Sequence, residues 1–255
     1  MTEATTASAL SQFGAEVSTR LDRLAALADS GGLDPAIDIL TSCVQAGGVI
    51  QAFGTGHSEA FAMEIAGRAG GLICTNRIAL RNVVLRGERA VDELTGAELE
   101  RDGSVVDELL AITELHPEDA FIIASNSGVN SSIVGMALAV KERGHPLIAV
   151  TSLEHTDAVT PKHPSGKRLS EIADVVIDNL APFGDATLDL PGDIGVGSVS
   201  SITAAYIAQA LTIGITARII DAGDTPPVYI SANIPGGDEH NSSLQDRYGT
   251  RIKSL

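Results

Sequence analysis

The 255-residue sequence contains no tryptophan, and aromatic residues make up only 3% of the chain. Apolar residues still account for 44% of it, so a core has to be built mainly from Ala, Val, Ile and Leu. Strands rich in such residues favour a parallel sheet that is covered by helices on both faces. The length fits one large α/β domain, whose core can fold without the support of a disulfide or a metal.

Cysteine and positive charge are also scarce. Cys43 and Cys74 are the two cysteines, and because they lack the spacing of a redox or zinc motif we expect both to be reduced and buried. The chain has 17 Lys and Arg against 33 Asp and Glu, a formal net charge of −16. A field of this sign repels nucleic acid and anionic membranes, so neither is an expected partner. The first residues lack the pattern of a signal peptide, which predicts a cytoplasmic protein.

Apolar periodicity and glycine-rich turns predict alternating strands and helices. Strands are predicted at 49–53, 120–124, 147–150 and 174–178, with one or two more within 72–85. Helices are predicted at 10–28, 34–46, 59–69, 105–115, 131–143 and 198–220, the last being apolar but interrupted by polar residues, as in a buried core helix. This alternation predicts right-handed βαβ units in a three-layer α/β/α domain with an open parallel sheet.

The whole chain, residues 1–255, is predicted to form a single domain. Residues 1–46 would form a helical cover, residues 47–222 the sheet core, and residues 223–255 a C-terminal tail that contributes to the site. No internal repeat or domain linker interrupts this organisation.

Polar loops follow three of the predicted strands, at 54–58, 125–130 and 151–152. In a parallel sheet these loops share one edge, where ligands bind. Glycines let the backbone approach an anion, and a helix N-terminus presents unpaired N–H groups to it. The first two loops contain no Lys or Arg, so they predict a phosphate monoester held by neutral donors. Each loop alone is also typical of an ordinary helix cap.

Together, the GxGxS turn at 54–58 and the SxSGxN turn at 125–130 resemble those of the sugar isomerase (SIS) domain family. The resemblance extends over about residues 49–220, and the segments 165–169 and 231–241 resemble a bacterial SIS subfamily without an assigned function. It implies a flavodoxin-like sheet of five mostly parallel strands. It also implies a phosphosugar ligand, and a homodimer or homotetramer with sites near the subunit interfaces.

The resemblance implies which side chains contact the substrate. Phosphate contacts are expected from Ser58, Ser125, Asn126, Ser127 and Asn130. Asn130 stands where the family more often has Thr, and its amide can still donate a hydrogen bond. Other substrate contacts are expected from Gly56, Thr151, Ser152 and Glu239.

SIS enzymes remove the proton next to a sugar carbonyl, which requires a general base. His57, Glu59 and Glu64 are candidates near the first turn. Each carboxylate also has a structural interpretation, because Glu59 would favour the helix dipole and Glu64 could pair with Arg68 one turn later.

The sequence also departs from related enzymes. In similar etherases and phosphoheptose isomerases a catalytic Glu follows the first-turn Ser by ten residues, but Arg68 occupies that position here. Glu64 stands where the isomerases have a zinc-binding His, so no metal or other cofactor is predicted. Glu88 and Asp92 are alternative sources of the base.

Histidines elsewhere in the chain are further candidates for proton transfer. The segment 236–241 is interpreted as a loop in which His240 acts at the site of its own or a neighbouring subunit, the alternative being a plain surface loop. His145 is interpreted as a helix-end histidine. His155 and His163 lie in a polar loop that could line the site.

Three functions are consistent with these residues. The preferred one is a lyase, a dehydratase that removes the C2 proton of an amino-sugar 6-phosphate of the N-acetylglucosamine 6-phosphate type and eliminates the substituent at C3. The second is an aldose–ketose phosphosugar isomerase. The third is a sensor that binds a phosphosugar without changing it.

Overall fold

The structure, a computed structural model, describes residues 6–95 and 98–253. Its central strands are β1 (Ile50–Gly54), β2 (Thr75–Ile78), β3 (Ala120–Ala124), β4 (Leu147–Thr151) and β5 (Val175–Asp178). They form one sheet in the order β2-β1-β3-β4-β5, and every pair is parallel. The predicted flavodoxin-like sheet of five strands is therefore confirmed.

The described α-helices cover the two faces of this sheet. In chain order they are α1 (Thr6–Asp29), α2 (Asp34–Gln45), α3 (Glu59–Ile65), α4 (Asn82–Leu85), α5 (Glu98–Arg101), α6 (Val105–Ala111), α7 (Ser131–Glu142), α8 (Leu153–Ala158), α9 (Ser200–Asp221) and α10 (Gly237–Gln245). The predicted helices at 10–28, 34–46, 131–143 and 198–220 correspond closely to α1, α2, α7 and α9.

Alternation along β3 shows how the two hydrophobic layers form. All five residues of this strand are buried, and successive side chains point to opposite faces. Ile122 packs into the layer with α2, α3 and α9, whereas Phe121 and Ile123 pack into the layer with α6 and α7. Burial on both faces explains why this strand is an uninterrupted apolar run in the sequence.

Helix α9 is apolar and long enough to cross a membrane by length and composition alone. In the structure it packs against α1, α2 and α3, and Ile207, Leu211 and Ile215 are buried in the hydrophobic core. This is the packing of a core helix.

Several elements differ from the sequence-based predictions. The helix predicted to reach residue 69 ends at Ile65, and the segment 72–85 holds one strand followed by the short α4. Two further strands, β6 (Leu188–Leu190) and β7 (Ile194–Val196), form a hairpin within a stretch interpreted as a connector. Short helices α8 and α10 replace predicted loops, because polar residues and glycines gave no apolar periodicity there.

The C-terminal tail, residues 223–253 of the described chain, lies at the amino end of the sheet. Tyr229 pairs with Gly71 ahead of β2, and the Arg251 guanidinium donates to the carbonyl of Gly47 ahead of β1. Ile73, Tyr229 and Leu244 form a small apolar cluster beneath it. Within one chain, the tail is therefore at the opposite end from the polar loops that follow the strands.

Candidate functional site

The loop after β1 turns sharply because two glycines allow it. A Cβ on Gly54 would lie 2.3 Å from the carbonyl oxygen of Ser58, so this position has room only for hydrogen. Gly56 has φ +56, and a Cβ there would lie 2.7 Å from an oxygen of Glu100. The turn thereby presents His57 and Ser58 at the start of α3, beside the carboxylate of Glu100.

The loop after β3 is stiffened by its own hydrogen bonds. The Ser125 hydroxyl oxygen accepts from the backbone N–H of Gly128 at 3.1 Å, which leaves the hydroxyl hydrogen available to a ligand. The Asn126 side-chain oxygen accepts from the Asn179 amide at 3.1 Å, so its own amide hydrogens remain to donate. Ser127 is half-buried, and the loop ends where α7 begins.

A third wall comes from the start of α9, which the sequence analysis did not identify. The Asp185 carboxylate accepts from the backbone N–H groups of Val199 and Ser200 at 3.1 and 3.0 Å, and from the Ser200 hydroxyl at 2.6 Å. Ser198 and Ser201 lie beside this cap and are exposed. A run of serines directly ahead of a predicted long helix is the signal that could have identified this wall.

These three walls enclose a cavity of about 380 Å³ at the carboxyl edge of the sheet. The 12-residue α7 and the 22-residue α9 both begin at it, so their unpaired N–H groups and dipoles favour an anion there. The lining residues are Thr55, Gly56, His57, Ser58, Glu100, Ser125, Asn126, Ser127, Asn130, His155, Gly184, Asp185, Ser198, Ser200 and Ser201. The two loops singled out in the sequence are thus brought together.

Glu100 is a carboxylate in this cavity that the sequence analysis missed. The Asn130 amide donates to its Oε2 at 3.3 Å, and the Ser132 hydroxyl donates to its backbone carbonyl at 2.8 Å. It lies on α5, in the polar segment where Glu88 and Asp92 were named as alternatives. Both of those side chains are exposed and do not line the cavity.

A cluster of ion pairs holds the segment that carries Glu100. The Arg89 guanidinium contacts Glu108 at 2.6 Å, Asp102 at 2.9 Å and Glu93 at 3.1 Å. Its pKa is raised, chiefly by the hydrogen bonds to Glu108. The pKa of Glu108 is lowered by Arg89, and the pKa of Asp102 is lowered first by the Ser104 hydroxyl and then by Arg89. The cluster ties α5 to α6 on either side of Glu100.

Two histidines line the cavity in different settings. His57 is exposed, whereas His155 is half-buried and its Nδ1 accepts from the backbone N–H of Gly184 at 2.9 Å. The other two lie elsewhere: His163 bonds to its neighbour Ser165, and His145 is buried against the Asp119 carbonyl at 3.0 Å.

Four residues predicted to act at the site have their side chains engaged elsewhere. Glu59 pairs with Arg81, and Glu64 pairs with Arg68 and accepts from the Gln209 amide at 2.7 Å. The Thr151 hydroxyl donates to the Asn126 carbonyl at 3.3 Å, and the Ser152 hydroxyl donates to the Ala181 carbonyl at 2.6 Å. All four lie close to the cavity in sequence but do not line it.

Glu239 and His240 lie on α10, not on a loop, and are exposed. The Nε2 of His240 is 3.0 Å from the carbonyl oxygen of Val228, at the amino end of the sheet. Within one chain they are therefore separated from the cavity by the length of the strands, and a second subunit would have to supply them.

The sequence matches proteins of one family. The family model described as "SIS domain" matches residues 12–152, which is more than half of the chain. A UPF0309 protein of Listeria monocytogenes is 38% identical over 223 residues, covering 86% of this chain and 89% of that protein. A UPF0309 protein of Geobacillus kaustophilus is 34% identical over 228 residues, covering 89% of each.

Solved structures with lower identity share the fold. The E. coli CFT073 protein c3406, solved in complex with a phosphosugar, has a TM-score of 0.50 and 17% identity, over 86% of this chain and 93% of that one. A phosphoheptose isomerase of Neisseria gonorrhoeae has a TM-score of 0.50 and 19% identity, over 82% and 99% of the two chains. At these identities the likeness establishes the architecture alone.

Proposed function

Because the chain belongs to the SIS domain family, in its UPF0309 group, we propose that the cavity binds an amino-sugar 6-phosphate and removes the proton at C2. The observation that carries the proposal is that one cavity holds both anion-binding groups and a carboxylate. Two helix N-termini and several free hydroxyl and amide donors face it, and Glu100 stands against the loop at 54–58.

The phosphate would bind at the loop that precedes α7. Ser125 and Ser127 offer hydroxyl hydrogens there, Asn126 offers amide hydrogens, and Ser58 lies across the cavity at the start of α3. Such donors, together with the α7 N-terminus, offset the charge of a phosphate without a Lys or Arg in contact. The two related solved structures are a phosphosugar complex and a phosphoheptose isomerase, which agrees with this class of ligand.

Glu100 is the proposed general base. In the open-chain form of the substrate, its carboxylate takes the C2 proton, and the electron pair of that bond forms an enolate between C1 and C2. The enolate then collapses, a double bond forms between C2 and C3, and the C3 hydroxyl leaves as water after accepting a proton from the cavity. His57 is exposed within the cavity and can supply that proton.

Elimination is proposed over isomerisation because of the acetamido group on C2. A ketose requires an oxygen at C2, whereas an N-acetylhexosamine carries nitrogen there, so the same carbanion is directed towards loss of the C3 substituent. The isomerase remains the second candidate, and a related phosphoheptose isomerase of the same fold favours it. A sensor would retain the ligand unchanged.

Assembly and location belong to the same proposal. We expect a cytoplasmic homodimer or homotetramer, and only a second subunit could bring His240 or Glu239 to this cavity. Light scattering of the purified protein measures the subunit number. A monomer that turns over substrate at the full rate would remove His240 and Glu239 from the mechanism.

Proton NMR in heavy water tests the reaction. With N-acetylglucosamine 6-phosphate, we expect the C2 proton signal to disappear and a vinylic C3 proton to appear. A ketose product from a panel of hexose phosphates would select the isomerase instead. Binding without any change in the spectrum across the panel would leave the sensor.

A further inference from the structure

The imidazole of His155 is held on three sides at the wall of the cavity. Its backbone N–H donates to the Ser152 hydroxyl oxygen at 3.0 Å, and its Nδ1 accepts from the Gly184 backbone N–H at 2.9 Å. The ring stacks on Phe183 with 5.2 Å between ring centroids and 23° between the planes. The ring orientation is thus defined before any ligand binds.

The segment that contacts the ring is itself fixed. The Phe183 backbone N–H donates to the Glu154 carboxylate at 2.9 Å, next to His155 in the chain. Two residues beyond Phe183, Asp185 caps α9 through Val199 and Ser200. The Gly184 N–H therefore comes from a backbone anchored on both sides.

The contact with Gly184 determines the tautomer of the neutral ring. A backbone N–H can only donate, so Nδ1 must accept, and the hydrogen of neutral imidazole lies on Nε2. In residues 6–95 and 98–253, no protein group bonds to this Nε2, and the ring lines the cavity. His57 differs, since no described hydrogen bond selects its tautomer.

We propose that His155 is a catalytic residue that donates its Nε2–H to the C1 oxygen of the substrate as the enolate forms. This role rests on the proposed function, because the enolate exists only if the C2 proton is removed. Neutral imidazole is a very weak acid, so His155 stabilises the oxyanion by a hydrogen bond and transfers no proton. The proton transfers are left to Glu100 and His57, which face the same cavity.

Long-range proton–nitrogen NMR of histidine-labelled protein tests the tautomer without turnover. We expect the neutral His155 ring to carry its hydrogen on Nε2, both alone and with N-acetylglucosamine 6-phosphate. The His155→Phe variant assigns the signal, and it keeps the ring stack on Phe183. A hydrogen on Nδ1 would overturn the inference, whatever the protein does to the sugar.

Kinetics test the contact with the reacting oxygen. We expect His155→Phe to lower kcat about 100-fold while KM changes less than about threefold, since the contact strengthens in the transition state. His155→Gln retains an amide donor and should recover part of the loss, whereas His163→Phe, outside the cavity, should leave kcat unchanged. An unchanged kcat in His155→Phe overturns the role. A wild-type protein inactive on every phosphosugar would overturn the proposed function and with it this role, leaving only the tautomer assignment to stand.

Discussion

At the amino end of the sheet the Asp119 carboxylate is fully buried and its oxygens are saturated, whereas at the carboxyl end hydroxyls and amides point into an open cavity. Asp119 accepts from the Val49 N–H at 2.8 Å, the Gln51 amide at 3.1 Å and the Arg251 guanidinium at 2.5 Å. Ser125 and Asn126 accept hydrogen bonds from the protein but keep their own hydrogens available.

This difference separates stability from binding. A buried charge without its partners is costly, so the groups around Asp119 must all be in place for the chain to fold. Donors that face a cavity are satisfied by water in the free protein and can be transferred to a ligand. Substitutions at the two ends should therefore affect different measurements.

The largest effect on binding is expected from the carboxyl end. Ser125→Ala combined with Ser127→Ala removes two donors to a charged group, each worth about 1.5–3 kcal/mol, so affinity for the phosphosugar should fall about 100-fold or more. Calorimetric titration with N-acetylglucosamine 6-phosphate measures it.

The matched control carries two exposed serines from the other end of the molecule. Ser42→Ala with Ser243→Ala removes the same two hydroxyl groups at a distance from the cavity and should leave affinity unchanged. Equal affinities in all three proteins would place the phosphate elsewhere.

The amino end should respond in stability. Asp119→Asn leaves Arg251, which is only 12% exposed, without its carboxylate, and the free energy of unfolding should fall by about 3–5 kcal/mol. Denaturant unfolding measures this change, and ligand affinity of the folded variant should remain within about twofold. The exposed pair of Arg218 with Asp34 and Asp38 is the control, since Arg218→Met should cost less than about 1 kcal/mol. A drop in affinity as large as that of the serine variant would abolish the separation between the two ends.

A smaller effect is expected from the ion-pair cluster that anchors α5. Because the pKa values of Asp102 and Glu108 are lowered in the folded protein, their stabilisation is present above their ordinary pKa values and is lost as pH falls through the lowered ones. Both side chains are partly exposed, so this amounts to less than about 1 kcal/mol.

Hydrogen exchange of the amides at 98–104 should therefore speed up on acidification, beyond the intrinsic pH dependence of exchange, before the rest of the sheet opens. Arg89→Gln should remove this excess pH dependence. Exchange rates that follow the same pH dependence in both proteins would show that the cluster does not hold α5.

The sequence predicted the sheet and the two phosphate loops because each depends on local signals. Apolar runs such as the one at 120–124 mark buried strands, and glycines at 54 and 56 mark a turn that only a residue without a side chain can form. The parallel arrangement then places both loops on one edge.

Long-range placement escaped prediction. Glu100 reaches the cavity through a four-residue helix in a segment without apolar periodicity, and Asp185 reaches α9 across 14 residues. Glu64 has the type and position expected of a base, but its partners Arg68 and Gln209 turn it away, and Gln209 lies 145 residues further along. Only the folded chain shows which carboxylate faces the ligand.

The central claim is that Glu100 removes the C2 proton of a phosphosugar bound at this edge. Deuterium incorporation at C2 by Glu100→Gln in heavy water, beside calorimetric affinity, tests it most directly, with Glu64→Gln as the matched carboxylate outside the cavity. We predict that Glu100→Gln binds within about fivefold of wild type but loses C2 exchange and turnover by about 1000-fold, while Glu64→Gln retains both. Full C2 exchange in Glu100→Gln, or its loss in Glu64→Gln alone, would contradict the account.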